Sequence, residues 1–149
     1  MWRDDDGSPA GSAPKTRVGR RRLARAVAVQ ALYESDITGH PAVPIAGRLA
    51  DDAQVGPADR EFAVGLVTAV EENRVPLDEK LGELAPTHPV AQLSPIDRNI
   101  IRIALAELEY KAADTPEKVV VNEAVELATL FGAESSQKFV NGVLGTVLG

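Results

Sequence analysis

Apolar positions recur along this chain at intervals of three and four, the spacing of helices that bury one face. Leu23, Val27 and Ala31 fall at i, i+4 and i+8 within RRRLARAVAVQALYESDIT, a run of good helix formers beginning near Arg20, and Thr38-Gly39-His40-Pro41 supplies its stop. A short helix is predicted around Val43 to Ala53. Gly56-Pro57 opens a longer one with Phe62, Leu66 and Val70 on one face, and Pro76 marks another carrying Leu77, Leu81 and Leu84. The stretch from Ala85 to Leu93 contains Pro86 and Pro89 and reads as a loop, which leaves His88, like His40, exposed to solvent.

Ser94-Pro95-Ile96-Asp97 gives the clearest helix start: a serine N-cap, proline at the first helical position, and an acid three residues after the cap that can bond back to it. Ile100, Ile101, Ala104, Leu105 and Leu108 then form a broad buried face. Thr115-Pro116-Glu117 repeats the start signal, and Val121, Ala124, Val125 and Ala128 make a stripe that Gly132 ends. Ser135 or Ser136 caps a last helix bearing Phe139, Val140, Val143, Leu144 and Val147. No segment alternates with period two for long enough to be a strand. The predicted fold is all-α, about seven helices in one domain over residues 16–149. Met1 to Lys15, rich in Gly, Ser, Pro, Ala and Asp without apolar period, is expected to be a disordered tail.

Composition narrows the chemistry. A chain of 149 residues, 44% hydrophobic and 26% charged, is a soluble globular domain rather than a fibrous or disordered one. With no cysteine and two histidines it has no thiolate nucleophile, no cysteine-based zinc site and little for acid–base work. Phosphate-loop and nucleophile-elbow patterns are absent, and Gly142 and Gly145 fall inside a helical pattern. The acid pairs Glu107 with Glu109 and Glu123 with Glu126 read as solvated helix faces rather than catalytic dyads. No enzyme activity, cofactor or metal is expected. The apolar stretch Ala26 to Tyr33 is only eight residues, too short to cross a membrane, is interrupted by Gln30 and follows an aspartate run rather than a lone basic region, so no signal peptide is expected and the expected location is the cytoplasm.

Charge changes the picture most. The net charge is −6, yet residues 1–25 carry seven basic and three acidic side chains against nine and nineteen in the remainder. Lys15, Arg17, Arg20, Arg21, Arg22 and Arg25 place six cations in eleven residues with no acid among them. Guanidinium forks match phosphate oxygens and stack on unpaired bases, so such a segment at a helix start suits flexible RNA. A solvated basic tail would have the same composition.

The arginine cluster is followed by Ala28-Val29-Gln30-Ala31-Leu32-Tyr33, then Ile101-Arg102-Ile103-Ala104-Leu105-Ala106-Glu107-Leu108, Val121-Asn122-Glu123-Ala124-Val125-Glu126-Leu127-Ala128, Phe131-Gly132-Ala133-Glu134 and Lys138-Phe139-Val140-Asn141-Gly142-Val143-Leu144. In order and spacing, over roughly residues 20 to 148, this resembles the NusB family of transcription antitermination factors. The resemblance implies two packed three-helix subdomains, single-stranded boxA RNA as ligand, and two protein partners: NusE, a small-subunit ribosomal protein, and the RNA polymerase antitermination complex. It implies RNA contacts at Arg20, Arg21, Arg22 and Arg25, and again at Lys138 and Phe139, where a lysine suits phosphate and an aromatic suits base stacking. Phe139 also fits a core position with Val143. Tyr33, through its hydroxyl at the end of the first helix, and Asp97 match positions used toward NusE. Asp97 is shorter than the glutamate often seen there, and Ser135 replaces a common aspartate, which favours phosphate near Lys138. Asn122-Glu123-Ala124 reads as structural. Two other readings share the fold: the RNA-binding domain of a ribosomal RNA cytosine methyltransferase, which would need a following catalytic domain, and a purely structural helical oligomer.

Overall fold

The computed structural model describes residues 14–110 and 115–148; the predicted tail lies outside them except for Pro14 and Lys15. The described residues form seven α-helices and no strand. They fall into two compact units that divide after Thr68.

The first unit contains α1 (Arg17–Thr38), α2 (Ala42–Asp52) and most of α3 (Pro57–Glu72). Helix α1 begins three residues before the predicted start because Thr16 caps it, its hydroxyl accepting from the Gly19 N–H at 3.0 Å. Pro14 is buried beside Gly19, so packing begins ahead of the helix. Gly39 ends α1 in the left-handed region (φ 77°), where a side chain would be strained, and returns its N–H to Ser35 O. Leu23, Ala24 and Val27 of α1 meet Ala50 of α2 and Ala63 of α3, with Leu49, Ala53, Val55 and Phe62 packed around them. Small residues at three of these five positions let the helices approach closely. Arg60 ties α3 to the end of α2 through a two-pronged ion pair with Asp51, at 2.8 and 3.4 Å. The hydrogen bond from Arg60 holds the Asp51 carboxyl below its ordinary range. Any stability this lends is present above the ordinary carboxylate pKa and lost as pH falls through the lowered one; both groups are solvated, so it is small.

The second unit contains the end of α3 and four helices: α4 (Arg74–Leu84), α5 (Pro95–Tyr110), α6 (Glu117–Phe131) and α7 (Ser136–Gly145). Helix α4 starts two residues before Pro76, which the first turn tolerates because its N–H groups have no intrahelical acceptor. A single 3₁₀ turn, Val90–Gln92, interrupts the predicted loop. Helix α5 packs against α4, α6 and α7, and every residue from Asn99 to Glu107 is buried. That corrects the reading of Glu107 as solvated. Glu123 of α6 is buried too, whereas Glu109 and Glu126 are exposed as expected. A helix enclosed on several sides has no fully wet face, and both buried acids are engaged in polar interactions. Among the described residues no helix is long and apolar enough to cross a membrane, and no cluster of potential ligands could hold a metal ion.

Candidate nucleic-acid interface

In the first unit the arginines lie within the first turns of α1 rather than ahead of it. Arg20 is more open than Arg21, Arg22 or Arg25, with 44% of its side chain exposed. Its Nη1 donates to Lys15 O at 2.7 Å, and its Nε lies 3.6 Å from Asp59 Oδ2. Arg21 Nε lies 3.5 Å from the other oxygen of the same carboxylate. The Arg21 guanidinium carbon stands 4.0 Å from the centre of the Phe62 ring, and that of Arg25 stands 5.2 Å from it. Arg22 is half-buried. Arg25 is only 5% exposed, which places its guanidinium behind the surface rather than on it. Sequence reasoning missed Asp59 and Phe62, which stand one turn apart on α3. Their only signal is the i, i+3 spacing of an acid and an aromatic at the start of a helix, and Phe62 reads equally well as core.

In the second unit Lys138 and Phe139 occupy the first turn of α7. Of the two candidate caps, Ser135 makes no capping bond; the buried Ser136 instead accepts from the Ala133 N–H at 2.9 Å, fastening the turn before the helix. Lys138 is exposed and borders a shallow cleft of about 290 Å³ with Val125, Glu134, Gln137 and Asn141. The replacement of an acid by Ser135 therefore leaves a neighbouring acid, Glu134, in the cleft wall. Phe139 is half-buried, between the core and exposed readings, and meets the exposed His88 ring edge-to-face at 5.1 Å and 61°. Gly132 sets this arrangement. A Cβ there would come within 2.4 Å of Ser136 Cβ and 2.7 Å of Ala128 O, too close for either to accommodate without moving the turn. Gly132→Ala is therefore expected to destabilise the protein by about 1–3 kcal/mol, the usual range for overpacking. A denaturant midpoint unchanged from the parent would show that the turn adjusts freely.

The two residues matched to partner contacts have different settings. Tyr33 is 37% exposed, and Ile37, one turn further along α1, is exposed as well, so Tyr33 stands at the surface of this unit. Helix α1 runs on to Thr38, which puts Tyr33 more than a turn before its end. Asp97 is half-buried in the first turn of α5, and its N–H donates to Ser94 Oγ at 3.1 Å. Its Oδ1 is enclosed without a hydrogen-bond partner. Only the serine half of the expected reciprocal cap is seen, since aspartate is one methylene shorter than the glutamate or glutamine that closes such a box.

A sequence model of the NusB family matches residues 22–148. The transcription antitermination protein NusB of Dehalococcoides mccartyi is 44% identical over 127 residues, covering 85% of this chain and 88% of its own length. That of Roseiflexus castenholzii is 44% identical over 129 residues, covering 86% and 91%. Among solved structures, T. maritima NusB superposes with a TM-score of 0.79 at 29% identity, covering 85% of this chain and 89% of that one. A chain from the crystal structure of antitermination factors NusB and NusE in complex with double-stranded RNA superposes with a TM-score of 0.76 at 25% identity, covering 86% and 95%.

Proposed function

The chain belongs to the NusB family, and from that premise we propose that it is a non-enzymatic transcription antitermination factor. It binds boxA-type single-stranded RNA together with NusE and acts with the RNA polymerase antitermination complex in the cytoplasm, supporting ribosomal RNA transcription. The observation that carries the reading is the acid-free arginine run folded into the first turns of α1, on a chain whose remaining residues are strongly acidic. A localised cationic strip on a body that repels polyanions favours one mode of RNA docking over nonspecific wrapping. Arg20, Arg21 and Arg22 supply the phosphate contacts on α1, and Lys138 supplies one from α7. Arg25, being buried, supports this surface from beneath. Phe139 offers a ring for base stacking, while Tyr33 and Asp97 face NusE.

Four cations engaging four phosphates give a slope of log K against log salt of about −3 on single-stranded RNA. Arg20→Ala combined with Arg22→Ala removes two of them and is expected to flatten the slope by about 1.4. Titrations with a boxA-like strand, a scrambled strand and a duplex, each with and without NusE, check the assignment. A salt-independent affinity, or equal weak binding to all three RNAs in every condition, would overturn it.

A further inference from the structure

We propose that Phe62 is a positioning residue of this RNA surface, acting through Arg21; the inference rests on the reading that the α1 arginines bind RNA. A flexible arginine on a helix surface loses much of its rotamer freedom when it grips a phosphate or stacks on a base, and that loss weakens binding. Arg21 is already held. Its guanidinium carbon is 4.0 Å from the Phe62 ring centre, and its Nε is 3.5 Å from Asp59 one turn back along α3. Its Nη1 is enclosed and has no hydrogen-bond partner, a position that is costly unless something attracts the cation. Asp59 meets the Nε side, and the π face of Phe62 lies against the guanidinium carbon, so both are placed to do so.

The arrangement is layered. Arg25, buried one turn along α1, lies 5.2 Å from the same ring, so Phe62 serves two guanidiniums spaced i, i+4. Phe62 is itself packed against the Leu23, Ala24 and Val27 cluster, and the Arg60–Asp51 ion pair fastens its helix to α2. The ring is thus a fixed platform, and the Arg21 side chain reaches RNA with its torsions largely set. The side-chain setting of this RNA surface then comes from α3, a helix with no arginine run of its own.

Phe62→Leu keeps apolar bulk but removes the π face. It is expected to weaken binding of a boxA-like single strand by about three- to tenfold, the range a cation–π contact of this kind supplies. Because no charge is lost, the salt slope should match that of the parent, whereas a loss of phosphate contacts would flatten it. Phe62→Tyr retains the ring and should bind within twofold of the parent. The decisive measurement is a double-mutant cycle: in an Arg21→Ala background Phe62→Leu should cost nothing further. Circular dichroism and melting curves accompany each variant, and Phe62→Met replaces Phe62→Leu if the latter fails to fold.

Parent-like affinity of Phe62→Leu, equal losses in the Leu and Tyr variants, or losses that add across the cycle would each overturn the proposal. Loss of RNA binding in the Arg20→Ala, Arg22→Ala variant beside an unaffected Phe62→Leu would refute the role of Phe62 and leave the RNA surface standing. Unchanged binding in both would refute both.

Discussion

Arg102→Ala is expected to lower the unfolding free energy by about 3 kcal/mol and the melting temperature by roughly 6–12 °C. Arg102 is buried in α5 and forms a two-pronged ion pair with Asp78 of α4, Nε to Oδ1 at 2.7 Å and Nη2 to Oδ2 at 2.9 Å. Its third arm, Nη1, donates to Asn99 Oδ1 at 3.1 Å. Removing the guanidinium leaves a carboxylate facing the interior without its counter-ion, and breaking a buried pair in this way costs about 3–5 kcal/mol. The lower figure applies because Asp78 keeps 28% of its side chain in contact with solvent, which screens the stranded charge. The companion double variant Arg102→Met, Asp78→Leu removes both charges and replaces them with apolar bulk. It should recover most of the loss, since an ion pair traded for packed hydrocarbon is often neutral. Chemical denaturation of both variants provides the check. A loss below about 1 kcal/mol for Arg102→Ala would mean that the pair behaves as a surface ion pair.

That pair also illustrates where sequence patterning stops. The stripes that predicted α5 and α6 rest on local spacing, and local spacing also produced the Ser94 cap and the stops at Gly39 and Gly132; all are found in the structure. Burial of a charged residue depends instead on which helices lie over it. Arg25, Arg102, Glu107 and Glu123 occupy positions that a two-faced helix would leave wet, and only the surrounding helices close them off. The aromatic pair of His88 and Phe139 joins residues from a loop and from the last helix, so no short window contains it. The α1 arginines were legible as a charge run, but their orientation was not. It is set by Asp59 and Phe62, more than thirty residues downstream, and an isolated acid and aromatic carry no mark of what they hold. Tyr33 lay between these cases: its place on α1 followed from the pattern, its exposure only from the packing.

Tyr33→Asp should leave folding and the binding of RNA alone nearly unchanged while abolishing the enhancement of RNA binding by NusE. Preserved folding follows from exposure: at 37% accessible, and with Ile37 beside it also open, an aspartate here enters a solvated surface and strands no charge in the core. The enhancement follows from placement on one helix. Tyr33 stands eight residues beyond Arg25 and thirteen beyond Arg20, about 12 and 20 Å along the axis of α1 at 1.5 Å per residue. A ribosomal protein docked at Tyr33 would lie within a few nucleotides' reach of a strand held by the arginines. It could then bear part of the ordering cost that this short basic segment otherwise meets alone. Couplings between sites are typically about 1–3 kcal/mol, so the NusE-bound chain should hold a boxA-like strand roughly 5 to 150 times more tightly, and RNA must raise NusE affinity by the same factor. All four legs of the cycle are measurable by titration at fixed salt, in the parent and in Tyr33→Asp. Equal RNA affinity with and without NusE in the parent would remove the coupled mechanism even if both binary contacts proved real. Full coupling retained in Tyr33→Asp would instead move the partner surface away from this part of α1.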